Sequence, residues 1–312
     1  MDTIDAMIPV WRPDARLKKS VERLLEQTRP VRSITLILSI DASWDEQLVE
    51  TWFEGEDRVH IEKIPKKDFN HGGTRRKWAF GNDADILLFL VQDAVPRGKR
   101  LVEKLTEDLA DPTCAVTYAR QVPGFGCDAI ETYMRFFNYP ARSRTKTKDA
   151  LKSGSIKACF TSNVCAAYRR DWFLKTGGFE PQILLSEDSV YAAKALKADA
   201  RIIYNADAKV IHAHNYSYGI YWKRNFDIGA VHKMYESIFG TLSSEKEGIR
   251  LVAQTALYLL RKRKVMLLPR LFFLSGTKFL AYQAGKHYNR LPGRLIEAWS
   301  WDPEFWRRKR NE

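Results

Sequence analysis

The segment ADILLFLVQDAVP (84–96) places a carboxylate at the end of an unbroken apolar run. Ile86–Val91 offers no polar face, so it fits a parallel strand buried on both sides. Its carboxyl end, Gln92-Asp93, opens toward the crevice in which open α/β sheets bind ligands. A carboxylate delivered there can hold a divalent cation against a diphosphate, the chemistry of an enzyme that handles a nucleotide-activated substrate. The alternative use of Asp93 is to cap the next turn. A second acidic pair, Glu187-Asp188 in SEDSVYAAKALKA (186–198), stands where a helical pattern begins, and the helix dipole there favours a carboxylate.

The elements that must carry these residues alternate through the first half. Residues 3–10 read as a strand and 14–27 as a helix with Leu17, Val21, Leu24 and Leu25 at helical spacing. A strand over 33–40 ends in the turn DASWD (41–45) before a helix over 46–53, and 59–64 is a third strand. Gly72-Gly73-Thr74 opens the helix before the 85–91 strand. This order predicts a parallel, right-handed doubly wound α/β sheet. No GxGxxG follows the first strand, which disfavours a nicotinamide or flavin site. Further on, 114–120 reads as a strand, 128–140 as an aromatic-rich helix, 142–155 as a mobile basic loop, and 201–205 and 209–211 as two short strands leading to His212-Ala-His214.

At 312 residues the chain exceeds the usual single-domain length, and its 45% apolar and 29% charged content excludes disorder. The net charge of +13 is concentrated: residues 250–312 hold 14 Lys/Arg against four acids. Cys114, Cys127, Cys159 and Cys165 form no CxxC pair, which implies reduced, mostly buried thiols. The sequence MDTIDAMIPVW lacks the basic and apolar regions of a signal peptide, and no apolar run reaches about 18 residues, so neither export nor a membrane span is expected.

Ten motifs in order, among them IPVWRPD (8–14), LSIDAS (38–43), FNHGGTRRKWA (69–79), LFLVQDAVP (88–96), TSNVCAAYRR (161–170), TGGFEP (176–181), SEDSVYAAK (186–194) and VIHAHNYSY (210–218), carry a resemblance to family-2 inverting glycosyltransferases of GT-A fold, and HGGTR followed by QDA to their rhamnosyltransferase branch. The resemblance covers roughly residues 3–235 and implies a GT-A domain over 1–240, a Rossmann-like, mostly parallel sheet flanked by helices, with a basic helical region over 241–312. It implies transfer of L-rhamnose from dTDP-β-L-rhamnose to a lipid-linked cell-surface polysaccharide, with Asp188 as general base and Glu187 as its neighbour. Asp93 matches the last acid of the metal-binding DxD motif, but Gln92-Asp93-Ala94 lacks the paired carboxylate. His212 or His214 would complete a site for Mg²⁺ or Mn²⁺, a histidine ligand favouring Mn²⁺. Pro9 and Val10 would wall the base, and Asp41 would accept from its N3–H. Arg75, or in its place Arg76, would reach the base or diphosphate from the HGGTR turn, and Lys223 and Arg224 in WKRNFD would clamp the diphosphate from a flexible loop. Trp222, Tyr133, Phe136 and Phe137 would stack on sugar faces, although such residues also serve as core.

Ser244-x-x-Glu247 reads as a capping box for a helix, and Pro269 begins a second. Basic amphipathic helices of this kind bind anionic membrane surfaces, which implies a cytoplasmic enzyme held peripherally at the inner face of the cell membrane; homodimerisation and packing onto the catalytic domain are the alternatives. A UDP-hexose donor is the nearest rival within the enzyme class. A non-catalytic binder of nucleic acid or another polyanion is the rival outside it, disfavoured because the basic tail accompanies no helix-turn-helix, RNP or zinc-finger pattern.

Overall fold

The computed structural model describes residues 2–311. Strands β1 (Ile4–Val10), β2 (Ser33–Ile40), β3 (Val59–Pro65) and β4 (Ile86–Leu90) pair in parallel, with Ile4 opposite Ile86 and Val10 opposite Leu38. Between them lie α1 (Ala15–Leu25), α2 (Gln47–Trp52) and α3 (His71–Gly81). In α1 the Asp14 side chain accepts the Arg16 N–H, and Leu17, Val21 and Leu24 recur on the face that meets the sheet. All five residues of β4 are buried, as an apolar run without alternation requires.

The remaining elements are β5 (Val95–Pro96), α4 (Leu101–Glu107), β6 (Cys114–Val122), α5 (Ala129–Asn138), β7 (Arg144–Lys146), β8 (Cys165–Arg169), α6 (Arg170–Lys175), α7 (Glu187–Lys197) and β9 (Arg201–Ile211). The sheet order is β3-β2-β1-β4-β8-β6-β9-β5, with β7 also on β9. The sheet is mostly parallel through β1–β4, as expected, and is mixed beyond them: β8 runs antiparallel to both β4 and β6. Two further expectations change. The basic stretch 142–155 is not a loop throughout, since Arg144–Lys146 adds a strand to β9. The two short strands before His212 are one, and the register irregularity opposite Ala119/Arg120 explains why the apolar pattern breaks there.

After β9 come α8 (Tyr218–Met234), α9 (Glu236–Phe239), α10 (Glu245–Arg261), α11 (Leu268–Lys286), α12 (Gly293–Trp299) and α13 (Pro303–Asn311). Helices α8 and α11 cross at Gly229 and Gly285: a Cβ on Gly229 would lie 2.1 Å from the Tyr282 carbonyl oxygen, and one on Gly285 2.0 Å from that of Phe226. Packing runs across residue 240, because Phe305 and Trp306 share a cluster with Ile183, Leu184 and Phe226. The capping box is not made. Ser244 Oγ donates to the Tyr282 hydroxyl, and Glu247 pairs with Lys157 at 3.1 Å. By length and composition alone Val265–Lys286 reaches what a membrane crossing needs, although Arg270 and Lys278 interrupt its apolar run.

Asp227, buried on α8, accepts the Trp301 N–H through Oδ2. Burial pushes its pKa up to about 7, from 3.8. A raised pKa makes its contribution to stability complete below the unfolded value and lost as pH rises through about 7. Asp227→Asn should therefore remove a decline on the order of 3 kcal/mol between about pH 5 and pH 9, checked by urea unfolding across that range.

Candidate active site

The crevice at the carboxyl ends of β4 and β9 gathers three metal-ligating side chains. Asp93 follows β4, and His212 and His214 follow β9. His214 Nε2 is 3.0 Å from Asp93 Oδ2, His212 Nε2 is 3.5 Å from Oδ1, and the two Nε2 atoms are 3.0 Å apart. Burial opposes the Asp93 charge, yet the two histidines hold its pKa well below the usual carboxylate range. Burial also drives His212 down to about 4, so it is a neutral ligand at physiological pH. The geometry suits a cation, with one oxygen and two nitrogens converging within 4.8 Å. This donor set favours Mn²⁺ over Mg²⁺.

Gln121, on β6, sets the orientation of His212. Its Oε1 lies 2.9 Å from His212 Nδ1, which leaves Nε2 toward Asp93 when Nδ1 carries the proton. Gln121 is itself fixed by Ser162 Oγ, the Tyr139 hydroxyl and Arg135, whose guanidinium pairs with Glu131. His214 stacks on Tyr216 at 4.6 Å, and the Arg224 guanidinium lies 5.5 Å over the same Tyr216 ring. Arg16, anchored by Asp14, reaches Asp93 at 3.5 Å and adds a cation beside it.

The acid pair is built by α7 and its approach. Ser186 adopts a left-handed φ of 64°, a conformation a non-glycine residue holds at some cost, and it aims the helix start. Glu187 is buried against Arg75 at 3.1 Å and accepts from the Asn163 amide at 2.9 Å. Burial is the largest influence and opposes its charge, but Arg75, His71 and the Asn163 amide together outweigh it and hold the Glu187 pKa below its usual value. Asp188 accepts backbone N–H groups from Asn163 at 3.0 Å and Ser189 at 2.7 Å. Burial and the neighbouring Glu187 nevertheless raise it to about 7. The helix start was expected to favour the carboxylate form; desolvation and like charge exceed that effect. Two adjacent carboxylates are thus driven apart, one permanently charged and one titrating near neutrality, as acid–base chemistry needs.

Residues 161–164 join the two centres. Asn163 binds both acids, Ser162 holds Gln121, and the Val164 carbonyl accepts the Val91 N–H at the end of β4. Helix α3 supports the acids from behind: Asn70 caps it by accepting the Gly72 and Gly73 N–H groups and donates to the Ile183 carbonyl. A Cβ on Gly72 would stand 2.2 Å from the Glu180 carbonyl oxygen and 2.7 Å from Ile183 Cγ2. Gly72→Ala should therefore cost about 3 kcal/mol in urea unfolding and lower activity by displacing the approach to α7.

Other expected residues stand differently. Arg75 does not face a donor: it is 1% exposed and spent on Glu187 and the His71 carbonyl. Val10 belongs to the core beneath the sheet, while Pro9 is half-buried on the same strand. Gln92 clasps the Trp11 backbone, accepting its N–H at 2.8 Å and donating to its carbonyl at 3.0 Å. Asp41 accepts from Trp11 Nε1 at 3.0 Å and from Ser43, which holds its pKa down to about 2. Arg12 and Lys66 lie over the Trp11 ring, and a cleft of about 480 Å³ opens beside Ser43 between Arg12, Pro13, Trp44, Asp45 and Leu48. Lys223 and Arg224 lie on α8, not on a flexible loop. Trp222 packs edge-on against Trp299, and Tyr133 lies against Tyr258 of α10 with its hydroxyl donating to Gln254, so both rings take part in packing. Phe136 is exposed, and Lys157 covers Phe137.

Residues 5–177 match the model of glycosyl transferase family 2. The chain is 36% identical to the O-antigen chain rhamnosyltransferase RfbN of Salmonella typhimurium over 252 residues, 80% of this chain and 79% of that one. It is 31% identical to the O-antigen chain rhamnosyltransferase WbaN of Salmonella anatum, covering 98% and 96%. Among solved structures, the mannosyltransferase PcManGT of Pyrobaculum calidifontis, in complex with GDP-Man and Mn²⁺, superposes with a TM-score of 0.57 at 14% identity over 98% of this chain and 85% of its own. The 1–349 fragment of TarS from S. aureus gives 0.50 at 12% identity, covering 92% and 91%. The chain belongs to glycosyltransferase family 2 and is a glycosyltransferase of GT-A fold.

Proposed function

We propose that this glycosyltransferase moves L-rhamnose from dTDP-β-L-rhamnose, with inversion, to a hydroxyl of a lipid-linked cell-surface polysaccharide at the cytoplasmic face of the membrane. The observation that carries the reading is the junction at 161–164, which couples an acid titrating near neutrality, Asp188, to the convergent triad Asp93, His212 and His214. The two Salmonella relatives are O-antigen chain rhamnosyltransferases, which supports rhamnose as the sugar.

Asp188 takes the proton of the attacking acceptor hydroxyl, and the fixed charge on Glu187 keeps it basic enough to do so. A divalent cation held by Asp93, His212 and His214 would supply counter-charge to the departing diphosphate. Arg16 beside Asp93 and Arg224 over Tyr216 add positive charge on the same side. Trp11 and Asp41, tied together at the end of β1 and β2, would meet the nucleoside. Inversion of a β-linked donor gives an α-linked rhamnoside; proton NMR of the product tests this, and a β-linked rhamnoside would contradict direct displacement.

A further inference from the structure

Helix α11 is apolar on two opposite faces. Leu271, Leu274, Ala281 and Gly285 turn inward. Phe272, Phe273, Phe279 and Leu280, at 72%, 64%, 53% and 59% exposure, turn outward at helical spacing. A solvated surface helix would carry polar residues there. Only 17% of the most apolar window in Val265–Lys286 is buried. The turn between α10 and α11 is Arg261-Lys262-Arg263-Lys264, all exposed, followed by Val265 and the 87% exposed Met266.

This hairpin is tied to the mouth of the site. Arg270 on α11 pairs with Asp128 at 2.9 Å. The Asp128 N–H donates to Asn215, the residue after His214, whose amide also donates to the Gly126 carbonyl. The loop so held carries Phe125, fully exposed, four residues after Gln121.

We propose that the α10–α11 turn, the outer face of α11 and Phe125 form a docking surface for an anionic lipid bilayer. The surface seats the enzyme with the His212–His214 side of its crevice toward the headgroups. The inference deepens the proposed function and rests on its lipid-linked acceptor. Charge selects this occupant: four clustered cations complement anionic headgroups, while the exposed phenylalanines enter the interface beside them. A second copy meeting the turn about a two-fold axis would set the four cations against four more.

The test uses the full chain with vesicles of phosphatidylglycerol in phosphatidylcholine, and vesicles of phosphatidylcholine alone, sedimented at roughly 0.05 M and 0.5 M salt. Binding is expected to the anionic vesicles and to weaken with salt. The combined variant Arg261→Gln, Lys262→Gln, Arg263→Gln, Lys264→Gln should lose on the order of 100-fold in partitioning. Phe272→Ser with Phe273→Ser should weaken binding by on the order of 10-fold at low salt. Phe125→Trp should add emission that brominated lipid quenches. Transfer of the sugar to a soluble acceptor, read by the nucleoside diphosphate it releases, should stay native in all of them, which shows that they fold. Failure of the native protein to bind, unchanged binding of the variants, or a native dimer that Phe272→Ser dissociates overturns the docking surface. The transferase reading fails separately, if no dTDP is released from the donor.

Discussion

Asp188→Asn is expected to lower transfer to the acceptor by roughly 10²–10⁴-fold while donor binding stays near native, because a general base acts on the acceptor and not on the nucleotide. The native enzyme should gain activity as pH rises through about 7, where Asp188 loses its proton, and level off above. Since the charge on Glu187 helps to raise Asp188, Glu187→Gln should move that acid limb to lower pH. Single-turnover transfer with saturating donor, measured from about pH 5 to pH 9, separates these effects. Native turnover by the Asp188 variant would place the base elsewhere.

The second large effect concerns the triad. Asp93→Ala removes the one carboxylate of the triad, and it should weaken Mn²⁺ binding in the presence of dTDP and lower turnover by at least ~100-fold. Electron paramagnetic resonance of free Mn²⁺ reads the binding independently of turnover. Chelation by EDTA should silence the native enzyme, and Mn²⁺ should restore it more effectively than Mg²⁺. Full activity in chelator would mean that Arg16 and Arg224 neutralise the diphosphate by themselves.

The strands and helices of the first half were legible because their burial follows simple periods, as in α1 and β4. Strand direction was not: β8 is as apolar as a parallel strand, and only its partners Leu87–Tyr168 and Tyr118–Ala166 reveal that it runs backwards. Motif order brought forward Asp93, Asp188 and the two histidines, whose side chains do converge or pair in the fold. The amides that position them escaped notice, since Gln121 and Asn163 carry no charge and acquire their roles only through neighbours 91 and 25 positions away. Arg75 shows the converse error. A basic residue after two glycines suggests a phosphate contact, but close approach of the Gly72 backbone to residues 180–183 buries it against Glu187 instead. The charge of the tail was plain in the sequence, whereas its anchoring near the mouth of the site rests on contacts that the fold alone brings together, the Arg270–Asp128 pair and the packing of Leu259, Leu271 and Leu274 on Ala129, Ile130 and Tyr221 among them.

The most direct test of the central claim is to incubate the protein and Mn²⁺ with dTDP-β-L-rhamnose, UDP-glucose, UDP-galactose and GDP-mannose in turn, with lipid-linked acceptor present, and to measure the nucleoside diphosphate released. Release of dTDP above all others, lost in both Asp188→Asn and Asp93→Ala, is the predicted result. Preferential release of UDP or GDP, or dTDP release unaffected by both substitutions, would contradict it.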